Sequence, residues 1–161
     1  MEDILEIGTP APDFHLIANT GQEIRLSEYK GSAHIVLFFV REYNWIQCRT
    51  HVAQLGRIYK EFQTANTEVL VILGETIERA KQYAQTLKTP FPVLADPDRE
   101  VYRRYGLEKA LFVIQRTSSV VIDRKGIVRY MKSATNPMLW LQESKELLFT
   151  VNDLGTKAEL H

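Results

Sequence analysis

The chain has 161 residues, of which 45% are hydrophobic and 25% charged, a composition typical of a soluble globular protein. Its 20 Lys and Arg residues balance 20 Asp and Glu residues, so the charge gives no indication of binding to nucleic acid or to an acidic membrane surface. No apolar run approaches the length of a membrane span.

The length and the cysteine content predict how the chain is organised and where it works. We expect one domain over residues 1–161, with residues 155–161 as a disordered tail. The acidic N-terminus, residues 1–6, has no apolar core and is not predicted to be a signal peptide. One cysteine cannot form an internal disulfide, which fits a reducing compartment. We therefore expect a cytoplasmic protein.

The first predicted elements form a β-hairpin extension at the N-terminus. Phe14 to Ala18 and Glu23 to Leu26 have the pattern of short strands, and Gly21 lies at the turn between them. Ser27, Tyr29 and Gly31 indicate one helical turn before the next strand.

A strand, a helix and a second strand follow and predict a parallel βαβ unit. Residues 35–40 and 68–73 are apolar runs rich in β-branched side chains, the pattern of strands buried on both faces. Between them, apolar residues recur at the spacing of one helix face from Cys48 to Phe62: Val52, Leu55, Ile58, Tyr59 and Phe62. Strand, long helix and strand in this order imply parallel pairing.

The second half continues the alternation of strands and helices. Thr76 is expected to cap a helix over residues 77–87, and Gly106 to close a helix that begins at Asp98. The remaining predicted elements are short strands at 90–96, 111–114 and 118–122, a turn at 123–126, a hairpin partner at 127–131, and a last helix opened by Asn136 and Pro137. The fold class predicted from this order is α/β, with a central mixed sheet flanked by helices on both faces.

Cys48 lies where the first buried strand passes into the following helix. The unpaired N–H groups and the positive dipole end of a helix start favour an anion such as a thiolate. A cysteine in this position can have a pKa below the usual value of about 8.5 and act as a nucleophile. The alternative is an inert core thiol, because free cysteine is among the most buried residue types.

Several segments in consistent order resemble the peroxiredoxin family of thiol peroxidases, which have the thioredoxin fold. They are Gly8-x-x-Ala11-Pro12-Asp13-Phe14, Leu26-Ser27-Glu28-Tyr29-Lys30-Gly31, Pro90-Phe91-Pro92-Val93-Leu94-Ala95-Asp96-Pro97-Asp98, and Val120-Val121-Ile122-Asp123-Arg124-Lys125-Gly126. The resemblance covers residues 8 to about 130 and implies that Cys48 is the peroxidatic cysteine.

The loop before Cys48 departs from the family pattern at two positions. The family has a proline where this chain has Arg41, and a Thr or Ser where it has Trp45. The resemblance implies that the absent hydroxyl would hydrogen-bond the peroxide, which an indole cannot do in the same way. The loop is similar to that of a redoxin-domain branch in which some members carry Cys-x-x-Cys, with Trp45 at the first cysteine position. Trp45 is expected either to shield the thiol or to pack in the core.

The resemblance also suggests which cation faces the thiol. It implies that an arginine near Arg116 would lower the thiol pKa and stabilise the charge on the peroxide, although Arg116 can also be a surface residue. Arg41 at the strand end is a further candidate, and Arg49 is expected to be a solvated charge because it points about 100° away from Cys48 on the helix.

His51 and two hydroxyl residues lie close to Cys48 in sequence. His51 lies three residues after Cys48 and can share its helix face, where it would pair with the thiolate or serve as a structural histidine. Tyr43 and Thr50 carry hydroxyls that could replace the absent one. The histidines and the cysteine form no metal-ligand spacing, so neither a metal nor another cofactor is expected.

The functional hypothesis is a peroxiredoxin-like oxidoreductase that reduces hydrogen peroxide or organic hydroperoxides through Cys48. With no second cysteine, an external thiol from a small molecule or a thioredoxin-like protein would complete a one-cysteine cycle. Homodimerisation is left open. The alternative is a thioredoxin-fold binding or thiol-sensing module without peroxidase activity. A dithiol disulfide reductase is a weaker hypothesis, because Trp45 removes the partner cysteine.

Overall fold

The computed structural model describes residues 5–40, 43–44, 46–107, 117–134 and 140–159. The strands in these ranges are β1 (His15–Ala18), β2 (Glu23–Arg25), β3 (His34–Phe39), β4 (Thr67–Leu73), β5 (Val93–Ala95), β6 (Thr117–Ile122) and β7 (Val128–Ala134). The helices are α1 (Ile46–Arg57), α2 (Tyr59–Thr64), α3 (Ile77–Leu87), α4 (Glu100–Arg104) and α5 (Trp140–Glu159), with a 3₁₀ turn at Leu26–Tyr29.

The strands form one mixed sheet in the order β2-β1-β5-β4-β3-β6-β7. Strand β4 pairs in parallel with β3 on one side and with β5 on the other. In the β3–β4 pair, Val36 lies opposite Val69. The pairs β1–β2, β1–β5, β3–β6 and β6–β7 are antiparallel. The predicted α/β fold with a central mixed sheet and an N-terminal hairpin is confirmed.

Strand β3 lies inside the sheet and has no exposed residue. Its alternate side chains enter two separate cores: Val36 and Phe38 contribute to one, and Leu37 and Phe39 to the other. Burial on both faces explains why this strand is a continuous apolar run rather than an alternating one.

Helices cover both faces of the sheet and complete these cores. Helices α1, α2, α3 and α5 pack over the first core, to which α5 contributes Leu147 and Val151. Helix α4 and the 3₁₀ turn contribute to the second core, through residues such as Val101 and Leu26. The parallel strands β3, β4 and β5 all end at the same edge of the sheet. In the chain, β3 is followed by α1, β4 by α3 and β5 by α4.

The helix predicted as continuous from Cys48 to Phe62 is divided. Helix α1 ends at Arg57, and Ile58 leaves helical geometry with φ −103° and ψ 9° before α2 begins. Gly56, which has a low helix propensity, lies just before the break, and Pro90 packs 3.4 Å from where its Cβ would lie. The apolar face nevertheless continues across the break, because Leu55 and Phe62 are both fully buried.

The remaining boundaries follow the predicted pattern, with some changes at the end of the chain. The predicted strand at 111–114 and the predicted helix start at Asn136 and Pro137 lie outside the described residues. Helix α5 includes residues 155–159, part of the tail predicted to be disordered. The single-domain organisation stays a prediction.

Within the described ranges, no helix combines the length and the apolar character that crossing a bilayer requires.

Candidate active site

Cys48 is the third residue of α1, the helix that follows β3. The first-turn N–H groups of a helix have no intrahelical acceptor, and the helix dipole is positive there. The structure therefore places the only cysteine of the sequence where it was predicted, in the first turn of the helix after the first buried strand.

The side chain of Cys48 is completely buried. It belongs to the same core as Phe38 and Val40 at the end of the central strand, Val52 one turn later on α1, and Tyr83 on α3. Burial of this kind also fits an inert thiol. The polar groups around this part of the core therefore decide what the cysteine can do.

Tyr102 of α4 joins the ends of β3 and β4 next to this site. Its hydroxyl lies 2.7 Å from the carbonyl oxygen of Val40 and 2.9 Å from that of Ile72, and it accepts a hydrogen bond from the N–H of Gly74 at 3.2 Å. Burial raises the pKa of Tyr102, and a negative charge on Cys48 raises it further while Arg99 opposes the shift. The phenol therefore stays protonated and fixes the strand ends from which the Cys48 loop leaves.

Arg99 brings a guanidinium to the same edge of the sheet. Its Cζ lies 4.8 Å from the centroid of the Tyr102 ring, a cation–π distance. A Cβ on Gly74 would lie 2.8 to 3.0 Å from the guanidinium atoms of Arg99, so only glycine leaves this space open. Arg99 has φ +55°, a left-handed conformation that costs a non-glycine residue about 1 kcal/mol or more. Sequence reasoning missed Arg99, because the Asp-Pro-Asp turn before it indicates only a surface turn.

Arg49 is not the solvated charge that its helix direction predicted. Its Nε donates to the carbonyl oxygen of Tyr43 at 3.1 Å, and its Cζ lies 5.1 Å from the Tyr43 ring centroid and 5.8 Å from that of Tyr83. The helical angle alone did not reveal this environment, because it depends on how the loop at Tyr43 packs against α1 and α3. Arg49, the residue after Cys48 in α1, therefore places its guanidinium beside the rings of Tyr43 and Tyr83.

His51 is buried and pairs with a residue of α5. Its Nδ1 lies 3.4 Å from Oε2 of Glu143, and its ring stacks on Phe38 with the centroids 4.4 Å apart. Burial lowers the pKa of His51 to about 4, so the imidazole is neutral at neutral pH. Burial also raises the pKa of Glu143, against the effects of the Ser119 hydroxyl and the Lys132 ammonium. These contacts favour the structural interpretation of His51.

The two hydroxyls proposed as replacements near the thiol are engaged elsewhere. Thr50 donates to the carbonyl oxygen of Ile46 at 2.9 Å within α1, and Tyr43 donates to Oε1 of Gln82 at 3.3 Å. Trp45, Arg41 and Arg116 lie outside the described residues, so their proposed roles stay predictions.

Asp96 lies in the turn between β5 and α4. Asp96 accepts hydrogen bonds from the N–H groups of Val101 and Tyr102 at 3.0 and 3.4 Å and so satisfies donors in the first turn of α4. Among the residues that the structure describes, no group of three or more His, Cys, Asp or Glu could hold a metal ion.

The chain was compared with models of protein families. A model of the AhpC/TSA family matches residues 7–131. These residues include β1 to β6, Cys48, and both residues at the strand edge, Tyr102 and Arg99.

Among curated proteins, the chain is similar to plant peroxiredoxins. It is 28% identical over 125 residues to the chloroplastic peroxiredoxin Q of Oryza sativa subsp. japonica, covering 77% of this chain and 57% of the relative. It is 27% identical over 143 residues to the chloroplastic peroxiredoxin Q of Sedum lineare, covering 88% of this chain and 76% of the relative. The chain thus spans a little over half the length of the rice relative.

Among solved structures, the fold is similar to that of two peroxiredoxins. Peroxidoxin BcpB from Mycobacterium tuberculosis superposes with a TM-score of 0.80 at 20% identity, over 92% of this chain and 97% of that one. The yeast mitochondrial 1-Cys peroxiredoxin superposes with a TM-score of 0.82 at 22% identity, over 97% of this chain and 79% of that one. At these identities the likeness establishes the thioredoxin-like fold.

Proposed function

The chain belongs to the AhpC/TSA family, and from that premise we propose that it is a thiol-dependent peroxidase that acts through Cys48. The proposal is carried by the position of the only cysteine, in the first turn of the helix after β3 and within the residues that the family model matches. A thiol at a helix start is favoured as thiolate, which is the nucleophilic form.

The proposed reaction is a two-electron transfer between sulfur and peroxide. The Cys48 thiolate attacks one oxygen of hydrogen peroxide or an organic hydroperoxide, an S–O bond forms, and the O–O bond breaks. The other oxygen takes up a proton and leaves as water or an alcohol. The sulfur is thereby oxidised to a sulfenic acid and the peroxide is reduced.

Positive charge near the sulfur would stabilise both the thiolate and the leaving oxygen. Among the described residues, Arg49 supports this part of the proposal, because it follows Cys48 on α1 and lies beside the Tyr83 ring of the same core. By resemblance, Arg116 and Arg41 are proposed as further cations, and Trp45 as a shield over the thiol.

The proposed cycle uses one cysteine and an external thiol. The first external thiol condenses with the sulfenic acid to form a mixed disulfide and releases water. A second external thiol then attacks the mixed disulfide, which regenerates Cys48 and joins the two external thiols in a disulfide. The similar yeast mitochondrial 1-Cys peroxiredoxin resolves its thiol via glutathione/thioredoxin systems, which supports a small thiol or a thioredoxin-like protein here. The cytoplasmic location stays a prediction, and homodimerisation stays open.

The test is the rate at which reduced protein reacts with one equivalent of hydrogen peroxide. We expect Cys48 to be lost at least about 100-fold faster than free cysteine, with a sulfenic acid trapped by a dimedone probe. Cys48→Ser is the matched control and should give no trapped product, since the chain has no other thiol. A wild-type rate no faster than that of free cysteine would refute the peroxidase proposal.

The complete burial of Cys48 favours one second candidate, a thiol-sensing or binding module. In that case Cys48 would react slowly with peroxide, and Cys48→Ser would keep whatever partner binding the wild type has. Fast sulfenate formation followed by turnover with an added thiol excludes this candidate.

A further inference from the structure

The hydroxyl of Tyr83 is a buried polar group whose role the fold does not explain. Tyr83 lies on α3 with no exposed surface, and its Oη has no hydrogen-bond partner among the residues that the structure describes. A buried hydroxyl without a partner costs free energy, and native proteins rarely leave one. A phenylalanine would fill the same space without that cost.

Other buried tyrosines of this chain have their hydroxyls paired. Tyr102 faces the carbonyl oxygens of Val40 and Ile72, and Tyr105 donates to the carbonyl oxygen of Pro12 at 2.7 Å. The rings of both belong to the second core. Tyr83 instead shares the first core with Cys48.

A guanidinium and a second tyrosine ring lie beside the ring of Tyr83. The Arg49 guanidinium lies 5.8 Å from its ring centroid and the Tyr43 ring 5.7 Å from it. Burial raises the pKa of Tyr83, and a negative charge on Cys48 raises it further, while Arg49 acts in the opposite sense. The hydroxyl therefore stays protonated near neutral pH and keeps a proton to donate, in the core that also holds Cys48.

We propose that the Tyr83 hydroxyl is a catalytic hydrogen-bond donor at Cys48, which contacts the peroxide oxygens as the sulfur attacks. This inference rests on the proposed peroxidase function and assigns to α3 the hydroxyl that the loop lacks at Trp45. Tyr83 donates a hydrogen bond without losing its proton. The proton that the leaving oxygen takes up comes from water, in balance with the proton that the thiol released on ionisation.

The chemistry explains why a donor is needed at this point. As the O–O bond breaks, negative charge develops on the leaving oxygen, and a donor held in place by the protein stabilises that charge without reorganisation. Thr50 and Tyr43 already donate elsewhere. Among the described hydroxyls of the first core, Tyr83 is the one that has no such engagement.

The experiment compares Tyr83→Phe with Tyr105→Phe, which removes a paired hydroxyl from the opposite core. The rate constant for Cys48 oxidation by hydrogen peroxide should fall about 10- to 100-fold in Tyr83→Phe, the effect of one lost hydrogen bond to a charged group. Tyr105→Phe should keep the wild-type rate within about twofold. Thermal unfolding should show Tyr83→Phe as stable as the wild type and Tyr105→Phe less stable.

Three outcomes would overturn the inference, and they differ from one another. Equal oxidation rates in wild type and Tyr83→Phe, with a fast wild type, would reject the role of Tyr83 and leave the peroxidase function standing. A large loss of thermal stability in Tyr83→Phe would mean that the hydroxyl serves a structural partner. A wild type no faster than free cysteine would reject the function itself, and the inference with it.

Discussion

Burial shifts the protonation of two residues that meet between α1 and α5, His51 and Glu143. His51 and Glu143 are both almost fully buried, at 3% exposure each, and face each other across α1 and α5. Burial holds His51 neutral by lowering its pKa to about 4 and shifts Glu143 towards its protonated form by raising its pKa. The pair therefore links the Cys48 helix to the last helix without a permanent ion pair.

The pH dependence of stability should reveal the buried His51. An unfolded His51 takes up a proton below about pH 6.5, whereas the folded one does so only near pH 4. Because the unfolded state binds more protons in this window, the free energy of unfolding should fall as the pH drops. The loss from this residue should be about 2 kcal/mol between pH 7 and pH 5.

Urea denaturation of His51→Gln at both pH values isolates this contribution. The variant should lose about 2 kcal/mol less than the wild type on acidification, because Glu143, whose raised pKa acts with the opposite sign, is present in both. His15→Gln, at a half-exposed histidine of β1, is the matched control and should follow the wild type. The same acid sensitivity in His51→Gln and wild type would contradict the interpretation.

At the scale of elements, parallel pairing places the candidate site. Strands β3, β4 and β5 run in the same direction, so the helices that follow them all begin at one edge of the sheet. That geometry brings the start of α1 with Cys48, the start of α3 after Thr76 and the start of α4 after Arg99 to the same edge. The start of α3 matters to the site because α3 carries Tyr83.

The cap of α3 is predicted to contribute measurably to stability. Oγ1 of Thr76 accepts a hydrogen bond from the N–H of Arg79 at 3.3 Å, as the sequence predicted. Thr76→Ala should lower the free energy of unfolding by about 1 kcal/mol. Thr64→Ala is the control, since that exposed hydroxyl only donates to Lys60 within α2 and caps nothing. Equal stability of the two variants in urea would argue against the cap.

At the scale of the whole molecule, α5 completes the core that holds Cys48. The family model matches residues 7–131 only, yet Leu147 and Val151 of α5 are fully buried in that core. The helix that lies beyond the family match is thus part of the environment of the candidate site.

Truncating a core residue of α5 should therefore destabilise the protein as a whole. Leu147→Ala should lower the free energy of unfolding by about 2 to 5 kcal/mol, through lost apolar contact and the cavity left behind. Phe149→Ala, on the same helix but 74% exposed, should change it by less than about 0.5 kcal/mol. If both variants unfold at the same urea concentration, α5 does not contribute to the core in the way described.

The sequence by itself determined what depends on neighbouring residues. Apolar runs predicted the buried strands β3 and β4, the three-and-four spacing predicted the helices α1 and α3, and Thr76 and Gly106 marked helix ends. The position of Cys48 in the first turn of α1 also followed from this local pattern. These features depend on backbone hydrogen bonding and side-chain periodicity within a few residues of the chain.

Only the tertiary structure decided which distant side chains meet near Cys48. Local sequence patterns assigned neither Tyr83 nor Arg99 a role near the thiol. Glu143 had no predicted role at all, and it meets His51 only because α5 packs against α1. These contacts join residues separated by tens of positions, and they depend on the order of strands in the sheet, which local periodicity does not encode.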